Sequence, residues 1–166
     1  WISISLTFDQ NLKFLIPFTI ILIPGLLALF YALVAYLFVV LKPNNNLSSF
    51  FLFSLIFGIV EFVRGSILTG FPWNLIAYSF SNQIEILNIT SVIGTYSFNL
   101  FCISLFTSPS IFILRENKKD ISICVAFLIT TMSFYILGSQ NLEKFNNQEV
   151  KKLDYKIRIL SSNISI

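Results

Sequence analysis

The sequence contains no histidine, and that absence is the first limit on its chemistry. Without imidazole no side chain ordinarily titrates near neutrality, and the commonest metal ligand is gone as well. Cysteine is almost as scarce, with only Cys102 and Cys124. No cluster of Cys, Asp or Glu replaces the missing ligands, so neither a metal nor a cofactor is expected. Charge is sparse at 11% Asp, Glu, Lys and Arg, against about 25% in soluble chains. The net charge of +3 is modest and its basic residues are spread over loops and a tail, which argues against a nucleic-acid partner. No initiating Met and no signal-peptide pattern precede the first apolar run, so the chain reads as part of something longer.

Apolar residues fill the space those absences leave. The chain is 55% hydrophobic with a mean hydropathy of +0.80, and 19 of its 166 residues are Phe. Several runs are long enough to cross about 30 Å of hydrocarbon. The expectation is an all-α membrane protein: a bundle of about four transmembrane helices over residues 1–139, followed by an extended C-terminal tail. The first span, 14–41, holds no charge, and Pro24-Gly25 predicts a kink within it. The turn cluster Lys42-Pro43-Asn44-Asn45-Asn46 ends it. The second span, 50–68, has Ser48 or Ser49 as its N-cap candidates. The third, 83–107, opens on an Asn82/Glu85 capping pattern and closes before Pro109. Its interior carries Asn88, Thr90, Ser91, Gly94, Thr95, Ser97 and Asn99. Small residues four apart, Thr90 with Gly94 and Ser91 with Thr95, predict a close helix contact. A central bundle helix and a polar conduit both fit that pattern. The fourth span, 121–137, stops at Gly138; 140–155 reads as a polar linker, and 156–160 alternates like a strand.

The most informative stretch is Glu61–Tyr78, which begins with an acid and a base three residues apart at the end of an apolar run. On a helix Glu61 and Arg64 are neighbours and can pair. A charge at membrane depth costs about 2.5–3.5 kcal/mol on insertion scales, so an unpaired one is not carried without reason. Gly70 suits a helix end, Pro72 forces Phe71 to extend, and Trp73 and Tyr78 favour the hydrocarbon–water boundary. A helix therefore rises through the membrane, bears its pair near the far end, and breaks into an aromatic loop.

Glu-x-x-Arg-Gly, then Thr-Gly-Phe-Pro-Trp, then a Tyr closely resembles the membrane domain of apolipoprotein N-acyltransferases. Ala77 stands where that family usually has Gly. Trp1–Ser5 fits the family's Trp-x-x-x-Ser segment, with two or three earlier membrane segments then expected to precede it. Ile93-Gly94-Thr95-Tyr96 fits an Ile-Gly-x-Tyr-Gly run, with Ser97 in place of its second Gly. The resemblance implies transfer of an acyl chain from a membrane phospholipid to the α-amino group of the lipid-modified N-terminal Cys of a lipoprotein. An enzyme Cys thioester is the intermediate. It also implies a Glu-Lys-Cys triad in a nitrilase-like domain, of which 156–166 would be only the start, with Ser161 replacing the family's Gln. No position in the chain matches a triad member, so catalytic residues are expected to be none and these residues alone are expected to be inactive. Cys102 and Cys124 read as inert thiols within the spans, with no disulfide.

Two readings of the motif remain side by side. Glu61 and Arg64 form a structural ion pair that fixes helix packing, or Arg64 helps hold a phospholipid phosphate. Phe71, Pro72, Trp73 and Tyr78 anchor the interface, or border the path of the acyl chain as substrate-binding residues. A non-enzymatic four-helix membrane protein that binds lipid or a partner is the alternative to the acyltransferase reading. A small transporter is a weaker third, for want of an inverted repeat. Basic residues should gather inside. Lys42 and Arg115, Lys118 and Lys119 lie in the first and third connections, the second holds none, and Lys13 is the exception among the short flanks. Charge alone therefore puts the 71–73 loop and the tail on the outer, periplasmic side of a bacterial inner membrane.

Overall fold

The computed structural model describes residues 4, 6–41, 43–67, 74–114 and 118–148. Among them there is no strand, and four helices are long and apolar enough to span a membrane. The all-α expectation holds. A 3-10 turn, Gln10–Leu15, capped by the Asp9 carboxylate on the Asn11 N–H, leads into α1 (Ile16–Leu41). At about 1.5 Å per residue its 26 residues rise about 39 Å, more than the hydrocarbon needs. The helix continues through Pro24 without interruption.

Next comes α2 (Asn46–Ser66), whose N-cap is Asn45 rather than Ser48 or Ser49. Asn45 Oδ1 accepts from the N–H groups of Leu47 and Ser48 at 2.8 and 3.1 Å. Ser49 lies inside the first turn and turns its hydroxyl back to the Pro43 carbonyl. An amide in the turn cluster thus outcompetes the serines that follow it, because Asx side chains cap at least as well.

The expected third span divides. Two single turns, α3 (Ile84–Leu87) and α4 (Thr90–Ile93), precede the continuous helix α5 (Thr95–Ile113). Gly94 separates α4 from α5 with φ +78°, a conformation that side chains rarely adopt. A Cβ on Gly94 would meet nothing within 4 Å, so this glycine serves a bend and not a helix contact. Ser91 and Thr95 are exposed as well, so this small-residue pair makes no close helix contact either. The Asn82/Glu85 capping pattern is not used: Gln83 occupies the N-cap, with no side-chain bond.

At the other end α5 runs past Pro109 to Ile113. Proline has no N–H to offer the carbonyl four residues back. Here the Ser108 hydroxyl donates to that carbonyl, Leu105 O, at 2.8 Å. The helix survives because a neighbour supplies the lost donor. Finally α6 (Lys118–Asn146) continues through Gly138, so the first seven residues of the expected linker, 140–146, are helical. The expected strand and the Phe71–Trp73 loop lie outside the described residues.

The long helices pack in the order α1, α2, α5, α6, each against the next. Val34, Ile56 and Val60 join α1 to α2, with Phe38 edge-on to Phe53 at 5.3 Å. Phe98 and Cys102 of α5, with Leu75, Ala77 and Ile86, form a second core on which Phe101, also of α5, and Phe134 of α6 pack. Glycines set the closest approaches. A Cβ on Gly58 would sit 2.8 Å from Leu100 Cδ1, and one on Gly138 would run into the Glu85 carbonyl. Asn46 Nδ2 donates to Leu114 O at 3.2 Å, tying the start of α2 to the end of α5. Asn141 Nδ2 donates to Asn88 Oδ1 at 2.7 Å at the opposite end.

Candidate functional site

Asn46 to Glu61 is fifteen residues of helix, or about 22 Å of rise, so the acid lies well past the middle of the apolar slab. The Arg64 guanidinium grips it with two bonds, Nε to Oε1 at 3.2 Å and Nη2 to Oε2 at 3.1 Å. Glu61 is 2% exposed and Arg64 6%, which makes this a buried, fork-on-fork pair. Burying either charge alone would be costly, and the paired geometry offsets that cost. The expected pairing is therefore present.

Two tyrosines outside the Glu61–Tyr78 stretch, Tyr31 and Tyr96, complete the surroundings. Tyr31, on α1, lies close enough to Glu61 and Arg64 for both charges to act on its phenol. Its ring leans on Phe57 at 5.8 Å. Tyr96, in the first turn of α5, meets Phe62 edge-on at 5.0 Å, and its hydroxyl fills the space that a side chain on Gly65 would need. The Gly after Arg64 is thus explained: it lets a tyrosine oxygen approach the helix beside the pair. Tyr31 had no sequence signal, since its partnership depends on the register between α1 and α2.

The segment after the aromatic motif returns into the bundle. Leu75 and Ala77 are buried, and Ile76–Phe80 forms a 3-10 turn along α5. The Phe80 ring lies 5.9 Å from Phe98 and 5.8 Å from Phe106, about two helical turns apart on α5. Irregular backbone at such depth is tolerated only when its polar groups find protein partners. Asn99 is that partner: its Oδ1 accepts from the Ala77 N–H at 3.0 Å, and the residue is 0% exposed. Its Nδ2 has no hydrogen-bond partner among the described residues. The lone amide in an apolar helix was the signal. Tyr78 points outward from this turn and is half exposed. Phe71, Pro72 and Trp73 lie outside the described residues, so of the expected site Glu61 and Arg64 are brought together and Tyr78 stands on the adjoining turn.

Cys102 is fully buried in the core of α5, and Cys124 donates its S–H to Ser108 O at 3.1 Å. Both thiols are free, and neither lies beside the Glu61–Arg64 pair in sequence or along the packed helices.

The buried Glu61–Arg64 pair thus lies on a spanning helix, and the turn Ile76–Phe80 packs along α5. The family model for the apolipoprotein N-acyltransferase N-terminal domain matches residues 1–108. The chain belongs to the apolipoprotein N-acyltransferase family. The apolipoprotein N-acyltransferase of Rickettsia bellii is 28% identical over 166 residues, covering 99% of this chain and 32% of the relative. That of Rhodopseudomonas palustris is 33% identical, covering 99% of this chain and 31% of its own length. That of Rhizobium meliloti is 29% identical over 138 residues, 81% of this chain and 25% of the relative. The chain therefore spans about a third of the length of the first two apolipoprotein N-acyltransferases. No solved structure matches it. Family membership and four span-capable helices together make this a multi-pass membrane protein.

Proposed function

We propose that this chain is the membrane portion of an apolipoprotein N-acyltransferase, the part that receives phospholipid for transfer of an acyl chain to the α-amino group of a lipoprotein's N-terminal Cys. The observation that carries the reading is the buried, bidentate Glu61–Arg64 pair on a family-matched helix. In this reading Arg64 exchanges part of its grip on Glu61 for a phospholipid phosphate, because guanidinium serves both oxyanions with the same fork. Tyr31 and Tyr96 line the approach, and Phe71, Pro72, Trp73 and Tyr78 border the path of the acyl chain. The reading places this end of the bundle on the periplasmic side of a bacterial inner membrane, since Lys42, Arg115, Lys118 and Lys119 all belong to the other end.

Residues 1–166 by themselves do not transfer acyl groups in this proposal, because no position in them matches the Glu-Lys-Cys triad. The test is lipoprotein N-acylation in cells that depend on this chain, expressed alone or embedded in the unmatched remainder of the Rickettsia bellii relative. Acylation is expected only from the joined protein. In that protein Arg64→Ala should reduce phospholipid capture at unchanged protein level. Acylation by residues 1–166 alone, or lower yield with unchanged capture, would overturn the corresponding part.

A further inference from the structure

Glu61 and Arg64 are closed in by the bundle at 2% and 6% exposure, whereas Tyr31, which approaches them from α1, is 41% exposed. The register of α1 on α2 puts it there. Phe38 packs edge-on to Phe53, and two turns back along α1 the Tyr31 ring leans on Phe57. Between them Val34 meets Ile56 and Val60. One turn further along α2 from Phe57 comes Glu61. The ring therefore lies on Phe57 while the hydroxyl reaches toward the carboxylate, near enough for the charges of both Glu61 and Arg64 to act on it. Tyr31 thus touches the buried pair and the outside of the bundle at once.

The role of this phenol rests on Arg64 receiving a phospholipid phosphate. In the free protein Glu61 accepts from Arg64 Nε and Nη2. Each guanidinium N–H that turns to a phosphate leaves a carboxylate oxygen without its donor, and a buried anion short of donors is costly. A phenol offers that oxygen an O–H without bringing a charge that would compete for the phosphate. We propose that Tyr31 is a positioning residue for phospholipid binding: its hydroxyl donates to Glu61 as Arg64 turns to the phosphate, and so holds the site in its lipid-bound form. A carboxylate that has lost part of its counter-ion gains more from a donor than one still gripped on both oxygens. The phenol therefore favours the lipid-bound state over the free one.

The probe is a diazirine-bearing phosphatidylglycerol in detergent micelles, set against the diacylglycerol with the same acyl chains, which lacks the phosphate. Photo-crosslinking to the 166-residue chain reads the binding of each. Tyr31→Phe keeps the ring on Phe57 and removes only the hydroxyl. It should weaken capture of the phospholipid about fivefold and leave capture of diacylglycerol unchanged. With Glu61→Gln already in place, Tyr31→Phe should have little further effect, because no carboxylate remains to be held. Equal losses for the two lipids, or an undiminished loss in the Glu61→Gln background, mean that Tyr31 only packs α1 on α2 and overturn the proposal. Glu61→Leu with Arg64→Met removes both charges together and should abolish the preference for phospholipid. If that variant keeps the preference, the phospholipid reading of Arg64 fails and the role of Tyr31 falls with it. If the preference is lost there but Tyr31→Phe binds both lipids as the unmodified chain does, the role of Tyr31 alone fails. Each comparison is a ratio of two lipids on one protein, so a lower yield of any variant does not alter the result.

Discussion

Glu61 and Arg64 show how far two residues can be understood without knowing the rest of the molecule. Spacing predicts the pair, and the structure supplies both bonds and nearly complete burial. Burial decides the energetics. Removing one partner leaves an uncompensated charge, a loss of about 3–5 kcal/mol, whereas replacing both by apolar residues can be neutral. Glu61→Leu and Arg64→Met singly should therefore lower the unfolding midpoint in bicelles sharply, and together should restore much of it. Additive losses in the double variant would show that the two side chains act separately. Tyr96 marks where sequence reading stops at this scale. Gly65 was legible as part of Glu-x-x-Arg-Gly, but not as the seat of a tyrosine hydroxyl thirty-one positions away. Contacts of that kind depend on helix register, which no local pattern encodes.

At the scale of elements, apolar runs were legible and their interruptions were not. A helical period from 83 to 107 is continuous on paper, yet Gly94 bends it, while Pro109, the expected stop, is bridged by Ser108. Both outcomes turn on which backbone donor finds an acceptor, a question that hydropathy does not ask. The 75–80 segment makes the same point, since its burial rests on Asn99 accepting from Ala77. Asn99→Leu removes that acceptor and leaves a buried N–H, at a cost of about 1–3 kcal/mol. The expected outcome is faster hydrogen exchange at Ala77 and its neighbours, with exchange within α2 unchanged. Slow exchange throughout would mean that apolar packing of Leu75 and Phe80 holds the segment without the amide.

For the whole molecule, the arrangement of the ends is the testable quantity. Four spans alternate direction, so the α1–α2 and α5–α6 connections must share one side. The Asn46–Leu114 bond shows that those two ends adjoin. The Asn88–Asn141 bond binds α3 to α6 at the other end. Lys42, Arg115, Lys118 and Lys119 all fall on the first side, while 67–83 carries no Lys or Arg. An excess of Lys and Arg in short loops holds them in the cytoplasm. In a chain with Cys102→Ala and Cys124→Ala, Asn44→Cys should therefore resist a membrane-impermeant maleimide added from outside. Ser81→Cys, on the turn after Phe80, should react. Equal reaction at both positions would refute α2 as the single span between them, because it would require an even number of crossings. Reaction at Asn44→Cys alone would keep the fold and reverse its orientation, moving the Arg64 end to the cytoplasmic leaflet.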